Sequence, residues 1–349
     1  MNIYEAEASN KRWTVAIMAA FLAFFLFLGL GFDVFVMGMR IPGLDTEGVG
    51  LSLYRSSNPD EASSYPIPYG TIVSLMIAGG LLLNSIYNGA AMALASCGAR
   101  KADPSNPAEK QLLDVVDEMA IAAGLPAPQA YVIPDDDPNA FATGFGPRNA
   151  YIAATRGLLA QLNREELQGV IAHEMSHVRN YDVRLMTVIA ALLGAISLVS
   201  DFTSRSARFG GRVSSGSRSS GRSEGKGGGG LAVIIFIIWI ICAILAPFIS
   251  RILAMAVSRH REYLADASGA ELTRNPQALA SALEKIRAAV APTRAISSDG
   301  VAHMCIDDPR GTALNERHGF FADLFATHPP MQKRILALKL MAYNKPVNI

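Results

Sequence analysis

The sequence predicts a predominantly α-helical integral membrane protein that also carries an α+β domain, in which a small β-sheet precedes a helix with the motif His-Glu-Met-Ser-His. Half of the 349 residues are hydrophobic and only 17% are charged, which is too apolar for an ordinary soluble protein of this size. Several uncharged stretches approach or reach the roughly twenty residues that cross a bilayer as a helix. Short strand-like segments lie shortly before the motif. The net charge of +1 argues against a general nucleic-acid binder.

Two apolar segments predict that residues 1–104 form a membrane anchor. Residues 13–32 are uncharged and follow two basic residues. No small-residue cleavage pattern comes after them, so they indicate an uncleaved span and not a signal peptide. Residues 70–96 form a second uncharged stretch, again with two basic residues just beyond it. By the positive-inside rule, these basic residues place the following domain in the cytoplasm.

Residues 105–184 are expected to form the first part of the α+β domain. Helical spacing of apolar residues, followed by a glycine, predicts a helix from 107 to 123. Three short strands are expected after it, at 129–133, 141–144 and 150–154. Asn163 and Glu166 have the spacing of a capping box, which opens the helix that carries the His-Glu-Met-Ser-His motif.

The motif has the spacing of a hydrolytic zinc site. His173 and His177 lie one turn apart on one helix face, so both imidazoles can reach a single ion. Glu174 follows the first histidine and can serve as general base toward the attacking water. A catalytic zinc needs a third protein ligand, and Glu262 is the candidate. Asp266, one turn after Glu262, can accept the outer N–H of a zinc-bound histidine. We therefore expect one Zn²⁺ per chain.

These motifs resemble those of the HtpX-type membrane metalloproteases. The resemblance rests on His-Glu-Met-Ser-His, on Ser-Arg-His-Arg-Glu-Tyr-Leu-Ala-Asp-Ala at 258–267, and on residues 139–144, 155–159 and 327–330 together with Arg334. It implies a zincin-like catalytic domain of the gluzincin class, with two histidines and a glutamate on zinc. That family is related to the integral-membrane prenyl-protein proteases.

The resemblance also implies roles for residues outside the two motifs. In this class, an edge strand beside the zinc helix binds the substrate as an additional strand. From the sequence alone, residues 139–144 fit a core strand equally well. The candidates for the edge are Asn139, Ala140, Phe141 and Ala142. Either His328 or Arg334 is expected to stabilise the oxyanion of the tetrahedral intermediate.

The resemblance to the HtpX-type proteases implies a membrane hairpin at residues 185–250, between the two zinc motifs, with spans at 185–202 and 231–250. Because both motifs bind one ion, the chain between them crosses the membrane an even number of times. The Gly/Ser-rich loop 203–230 holds six basic residues and one acidic residue, and a crossing hairpin leaves it outside, against the positive-inside rule. The alternative is a third segment that dips into the bilayer and returns. Residues 251–349 then complete the catalytic domain.

The expected function is zinc-dependent endoproteolysis at the membrane. The resemblance implies a multi-pass protein of the bacterial inner membrane, with its catalytic domain in the cytoplasm and misfolded or damaged membrane proteins as substrates. Its other partner is the lipid bilayer. Two alternatives stay open, which are a processing protease for lipidated C-termini and a scaffold or chaperone that uses zinc only to brace its fold. Three cysteines without a paired motif fit a reducing compartment.

Overall fold

The computed structural model describes residues 3–37, 39, 67–190, 192, 233–241, 259–289, 301, 304–307 and 329–343. The chain divides into two units, one of residues 1–15, 84–194 and 250–349, and the other of residues 16–83 and 195–249. Most of the predicted membrane hairpin, with its whole basic loop, lies outside the described residues. Its course and the predicted domain boundaries therefore stay predictions.

Helices dominate the described residues, and four short strands lie among them. In chain order, the helices are α1 (Ile3–Phe35), α2 (Tyr69–Ser96), α3 (Pro107–Ala123), α4 (Arg156–Gln161), α5 (Arg164–Arg179), α6 (182–190), α7 (233–241), α8 (Arg259–Thr273), α9 (Pro276–Ala288) and α10 (Met331–Ala342). The strands are β1 (Arg100–Lys101), β2 (Gln129–Ile133), β3 (Ala140–Gly144) and β4 (Ala150–Thr155). The sheet precedes the motif helix α5. The predicted fold class is confirmed.

Helices α1 and α2 contain the predicted spans at 13–32 and 70–96. Among the described residues, they are the two helices that are long and apolar enough to cross a membrane. Only 22% of the apolar window of each helix is buried, whereas the core helix of a soluble protein buries most of such a window. Their length and exposed apolar surface fit a lipid environment.

In the unit of residues 16–83 and 195–249, a buried aspartate joins α1 to α2. Asp33 Oδ1 accepts a hydrogen bond from Gly70 N at 2.7 Å. Its Oδ2 accepts from Thr71 N at 2.8 Å and from the Thr71 hydroxyl at 2.7 Å. Asp33 thus satisfies N–H groups at the start of α2, which have no partner within their own helix.

The four strands form one mixed sheet in the order β1-β2-β4-β3. Strands β2 and β4 are parallel, while β1 pairs antiparallel with β2 and β3 pairs antiparallel with β4. Three of these strands were expected from the sequence, and β3 and β4 are each one residue longer than expected. The two-residue strand β1 was not predicted.

Local capping signals set the ends of the helices around the sheet. Asn163 Oδ1 accepts from Glu166 N, and a carboxylate oxygen of Glu166 accepts from Asn163 N, both at 2.9 Å. The predicted capping box is therefore confirmed. Gly124 ends α3 with φ at 66°, in the left-handed region that glycine adopts without a Cβ clash.

Two apolar clusters lie on opposite faces of the sheet. Because successive strand residues face opposite sides, Ile152 belongs to the larger cluster and Ala153 to the smaller one. The larger cluster joins the sheet to α3, α5, α9 and α10. Every residue of α5 from Gly169 to Val178 is buried. The His-Glu-Met-Ser-His motif therefore lies in the core and not on a solvated helix face.

Candidate metal centre

Helices α5 and α8 bring three ligating side chains to one point. His173 and His177 lie one turn apart on α5, and Glu262 lies in the first turn of α8. One ligand atom from each lies within 4.8 Å of the others. The two Nε2 atoms are 3.3 Å apart, and each lies 3.6 Å from an oxygen of Glu262. All three side chains are buried.

A carboxylate lies against the outer nitrogen of each imidazole. His173 Nδ1 is 3.0 Å from Asp266 Oδ1, and His177 Nδ1 is 3.0 Å from Asp182 Oδ2. Because an ionised carboxylate can only accept a hydrogen bond, each neutral ring carries its proton on Nδ1 and presents the lone pair of Nε2 to the centre. Two such lone pairs and a carboxylate repel one another unless a cation lies between them. Two imidazoles and a carboxylate are also a donor set of catalytic zinc sites.

The surrounding charges favour positive charge at this point. Burial by itself lowers the pKa of His173, but hydrogen bonds to Asp266 and Glu262 outweigh burial and raise the pKa to about 9. The pKa of His177 is raised as well, because Asp182 and Glu262 outweigh its burial. Without a metal ion, the carboxylates favour protonated, positively charged imidazoles. A bound metal ion would supply this positive charge instead. The residues therefore fit a bound metal ion.

A glycine permits the close approach of α8 to α5. A Cβ at Gly269 would lie 3.0 Å from His173 N and 3.2 Å from His173 Cα. These are backbone atoms, which cannot rotate out of the way. Glu262 lies two turns before Gly269 on the same helix, so its distance from the histidines depends on this contact.

Glu174 faces a small cavity beside the candidate ligands. Burial raises the pKa of Glu174, and the nearby His173 and His177 only partly offset this effect. The backbone N–H of Ala142 on β3 also interacts with the Glu174 carboxylate. The rest of the cavity wall is apolar and comes from β3, α6 and the segment 304–307, with Ala142, Val183, Met186 and Met304 as its lining residues. The carboxylate therefore points into the space that adjoins both the ligands and the sheet.

Arg334 on α10 is fully buried and binds two carboxylates of α8. Its Nε and Nη2 each donate to Asp266 at 2.8 Å. Its Nη1 lies 3.1 Å from Glu262 Oε2 and donates to the Ile306 carbonyl at 3.2 Å. Burial lowers the pKa of Arg334, but Asp266 and Glu262 outweigh burial and raise it. The guanidinium therefore stays charged, with its Nη2 3.4 Å from His173 Nε2.

Strand β3 is the end strand of the described sheet on the side of α5. The hydrogen bond from Thr155 N to Asn139 O, at 2.9 Å, sets its pairing with β4. Hydrogen-bonded positions alternate along an antiparallel pair. Phe141 therefore pairs with β4, whereas Ala140 and Ala142 direct their backbone groups away from the sheet.

Part of this outer edge is occupied by the segment 304–307. Ile306 N donates to Ala140 O at 3.0 Å. Asn139 Nδ2 donates to the Asp307 carbonyl, also at 3.0 Å. The outward N–H of Ala142 interacts with Glu174. The stretch from Asn139 to Ala142 thus runs along the edge next to the candidate metal centre.

Comparison with known proteins assigns the family. The model of peptidase family M48 matches residues 106–342, which include the whole candidate metal centre. The chain belongs to peptidase family M48. Both the predicted resemblance to HtpX-type proteases and the predicted class of enzyme are confirmed.

Curated relatives of this M48 peptidase are named as protease HtpX homologues. The one from Thermoanaerobacter pseudethanolicus is 47% identical over 249 residues, which cover 71% of this chain and 77% of the relative. The one from Limosilactobacillus fermentum is 38% identical over 339 residues, with 97% and 100% coverage. The crystal structure of S. mikatae Ste24p aligns with a TM-score of 0.45 and 19% identity, over 76% of this chain and 57% of that one.

The M48 peptidase is therefore a membrane-associated metalloprotease. Its family implies a bound metal, typically zinc, and the buried group of His173, His177 and Glu262 is able to hold one. A protease with membrane helices has the membrane and protein substrates as its partners.

Most of the residues singled out from the sequence of this M48 peptidase lie together. These are His173, Glu174, His177, Glu262, Asp266, Arg334 and the stretch from Asn139 to Ala142. His328 lies outside the described residues. Sequence reasoning missed Asp182, which lies against His177, and Asn10, which donates to Asp182 at 2.5 Å. The available signal for Asp182 was an acidic residue shortly after the second histidine, whereas Asn10 gave no signal.

Proposed function

We propose that the protein is a zinc-dependent endopeptidase in which His173, His177 and Glu262 hold one Zn²⁺ per chain. The observation that carries this proposal is the convergence of two Nε2 atoms, 3.3 Å apart, on a buried carboxylate, while both outer nitrogens lie against other carboxylates. Asp266 orients His173, and Arg334 keeps Asp266 and Glu262 in place from α10.

The chain's own residues carry the proton transfers of peptide hydrolysis. When bound, zinc supplies Lewis acidity that polarises the scissile carbonyl and acidifies the attacking water. Glu174 accepts the proton of that water and delivers it to the leaving amine, a role that contributes about 10² to 10⁴ in rate. The buried position of Glu174, beside Ala142 and the ligands, keeps its carboxylate aimed at the reacting atoms. His328 or Arg334 stabilises the oxyanion.

Strand β3 is the proposed binding edge for substrate. A peptide that adds to this edge forms backbone hydrogen bonds, which do not depend on its sequence. Asn139, Ala140, Phe141 and Ala142 form this edge, and the outward backbone groups of Ala140 and Ala142 lie on it. Since Ile306 N already donates to Ala140 O, a substrate strand that used the same carbonyl would replace Ile306.

Misfolded or damaged membrane proteins are the proposed substrates, in the quality control of a bacterial inner membrane. An edge that forms hydrogen bonds with the substrate backbone, and not with its side chains, suits substrates of varied sequence. The candidate spans α1 and α2 keep the protein at the membrane. The basic residues that flank them favour a multi-pass arrangement with the catalytic domain in the cytoplasm.

Cleavage of an unfolded model membrane protein in detergent, with zinc added, tests the proposed function. We expect wild type to cut the substrate, a chelator to stop cleavage, and Glu174→Gln to bind zinc normally while losing at least about 100-fold in turnover. Full activity of Glu174→Gln would exclude the assigned base. Wild type that binds zinc without cutting would favour the scaffold alternative, and cleavage that requires a prenyl group on a test peptide would favour the processing alternative.

A further inference from the structure

A chain of buried polar contacts connects the start of α1 to the second candidate zinc ligand. Asn10 Nδ2 donates to Asp182 Oδ1 at 2.5 Å and to the Asn180 carbonyl at 2.9 Å. The other oxygen of Asp182 lies 3.0 Å from His177 Nδ1. Asn10 is 3% exposed and Asp182 is 1% exposed. The amide of Asn10 therefore meets the metal centre through one intermediate side chain.

The chemistry of Asn10 suits a residue that orients Asp182 without neutralising it. The Nε of Arg261 lies 3.6 Å from Asp182 Oδ1, the same oxygen that accepts from Asn10. A neutral amide donor holds that oxygen in place and leaves the negative charge of Asp182 to act on His177. Without it, Asp182 is free to turn toward the guanidinium of Arg261, and the His177 imidazole loses its fixed partner.

One further contact holds the same part of α1 against the turn that follows α5. Lys11 Nζ lies 4.1 Å from the centre of the Tyr181 ring, a cation–π contact. Within α1 itself, the buried Thr14 hydroxyl donates to the Asn10 carbonyl at 2.8 Å. Residues 1–15 also belong to the same unit as α5 and α8. The first turns of α1 are thus part of the domain that holds the metal centre.

We propose that Asn10 is a positioning residue of the metal centre, which acts through Asp182 on His177. The N-terminal helix then contributes to zinc affinity as well as to membrane attachment. This inference rests on the proposed ligation of zinc by His177. Loss of a side chain that orients a zinc-bound histidine lowers metal affinity by about 10- to 100-fold, and loss of a residue one step further away has a smaller effect.

The test compares the zinc affinity of four full-length variants in detergent, measured by competition with a chelator. Asp182→Asn keeps the shape of the side chain and is expected to weaken zinc binding about 10- to 100-fold. Asn10→Leu is expected to weaken it roughly three- to tenfold. In the double variant, Asn10→Leu adds less than about twofold to Asp182→Asn, because two residues that act in series are not additive. Thr14→Val, which removes a neighbouring buried hydrogen bond of α1, is the matched control and keeps the wild-type zinc affinity.

Thermal unfolding of the metal-free variants separates zinc affinity from stability of the fold. If Asn10→Leu does not fold, Asn10→Ser, which keeps a shorter donor, takes its place with a smaller expected loss. The inference would be overturned if the loss of zinc affinity in the double variant equalled the product of the two single losses. It would also be overturned if the Asn10 variant bound zinc as tightly as Thr14→Val. Wild type that fails to bind zinc would instead overturn the proposed function, so the two failures are distinguishable.

Discussion

Gly269→Ala tests how strictly the contact between α5 and α8 controls the metal centre. The added Cβ would lie 3.0 Å from His173 N, 3.2 Å from His173 Cα and 3.4 Å from Ala172 C. Ordinary van der Waals contact begins at 3.4 Å. The two helices must therefore separate by about 0.4 Å at this point, since none of these backbone atoms can rotate away.

A separation of this size should affect zinc affinity more strongly than it affects the stability of the fold. Over-packing of this kind lowers the free energy of unfolding by about 1–3 kcal/mol. The higher helix propensity of alanine offsets about 1 kcal/mol of this loss. We therefore expect the metal-free variant to fold, with a loss of about 0–2 kcal/mol. Ligand distances at a zinc site are held to about 0.2 Å. Displacement of Glu262 with α8 should lower zinc affinity roughly tenfold or more.

Gly169→Ala is the matched control for this experiment. A Cβ at Gly169 would lie 3.0 Å from both N and Cα of Leu279 and 3.1 Å from its Cβ, so the crowding is at least as tight, but it falls on α9, which carries no candidate ligand. Chelator competition gives the zinc affinity of both variants, and thermal unfolding without metal gives their stability. Wild-type zinc affinity in Gly269→Ala, or an equal loss of zinc affinity in both variants, would show that this contact does not control the metal centre.

Three other buried polar side chains should give measurable losses when they are replaced. Asp33→Ala should lower the stability of the detergent-solubilised protein by about 0.5–2 kcal/mol, measured by thermal unfolding, because N–H groups of α2 lose their cap. Burial raises the pKa of Glu166, but hydrogen bonds, chiefly from Lys285, outweigh it and leave the pKa below its ordinary value. Its stabilisation is therefore present above about pH 4.3 and lost below it, so wild type and Glu166→Gln should converge in acid unfolding. Arg334→Lys should weaken zinc binding in chelator competition, because lysine cannot bind Asp266 with two parallel hydrogen bonds.

Among the described residues, the helices and helix ends with a local signal in the sequence are found where that signal predicts them. The capping box of Asn163 and Glu166 and the C-terminal glycine at 124 each act through contacts within about four residues. The two histidines and the pair Glu262 and Asp266 are spaced by four, which places each pair on one helix face whatever the rest of the fold does. Strand β1 carries no such signal, since its two residues are defined only by their pairing with β2.

The partner of the second histidine shows why spacing alone did not identify the whole site. In a continuous helix, residue 182 would lie about 140° around the axis from His177, at 100° per residue. The helix ends at Arg179 instead, and Tyr181 adopts φ of 60°, so the turn brings Asp182 back against the imidazole. Asn10 then completes the arrangement from 172 residues away. Asp182 can orient His177 only because of the left-handed residue Tyr181 and the contact from the distant helix α1. The periodicity of the sequence predicts neither of them.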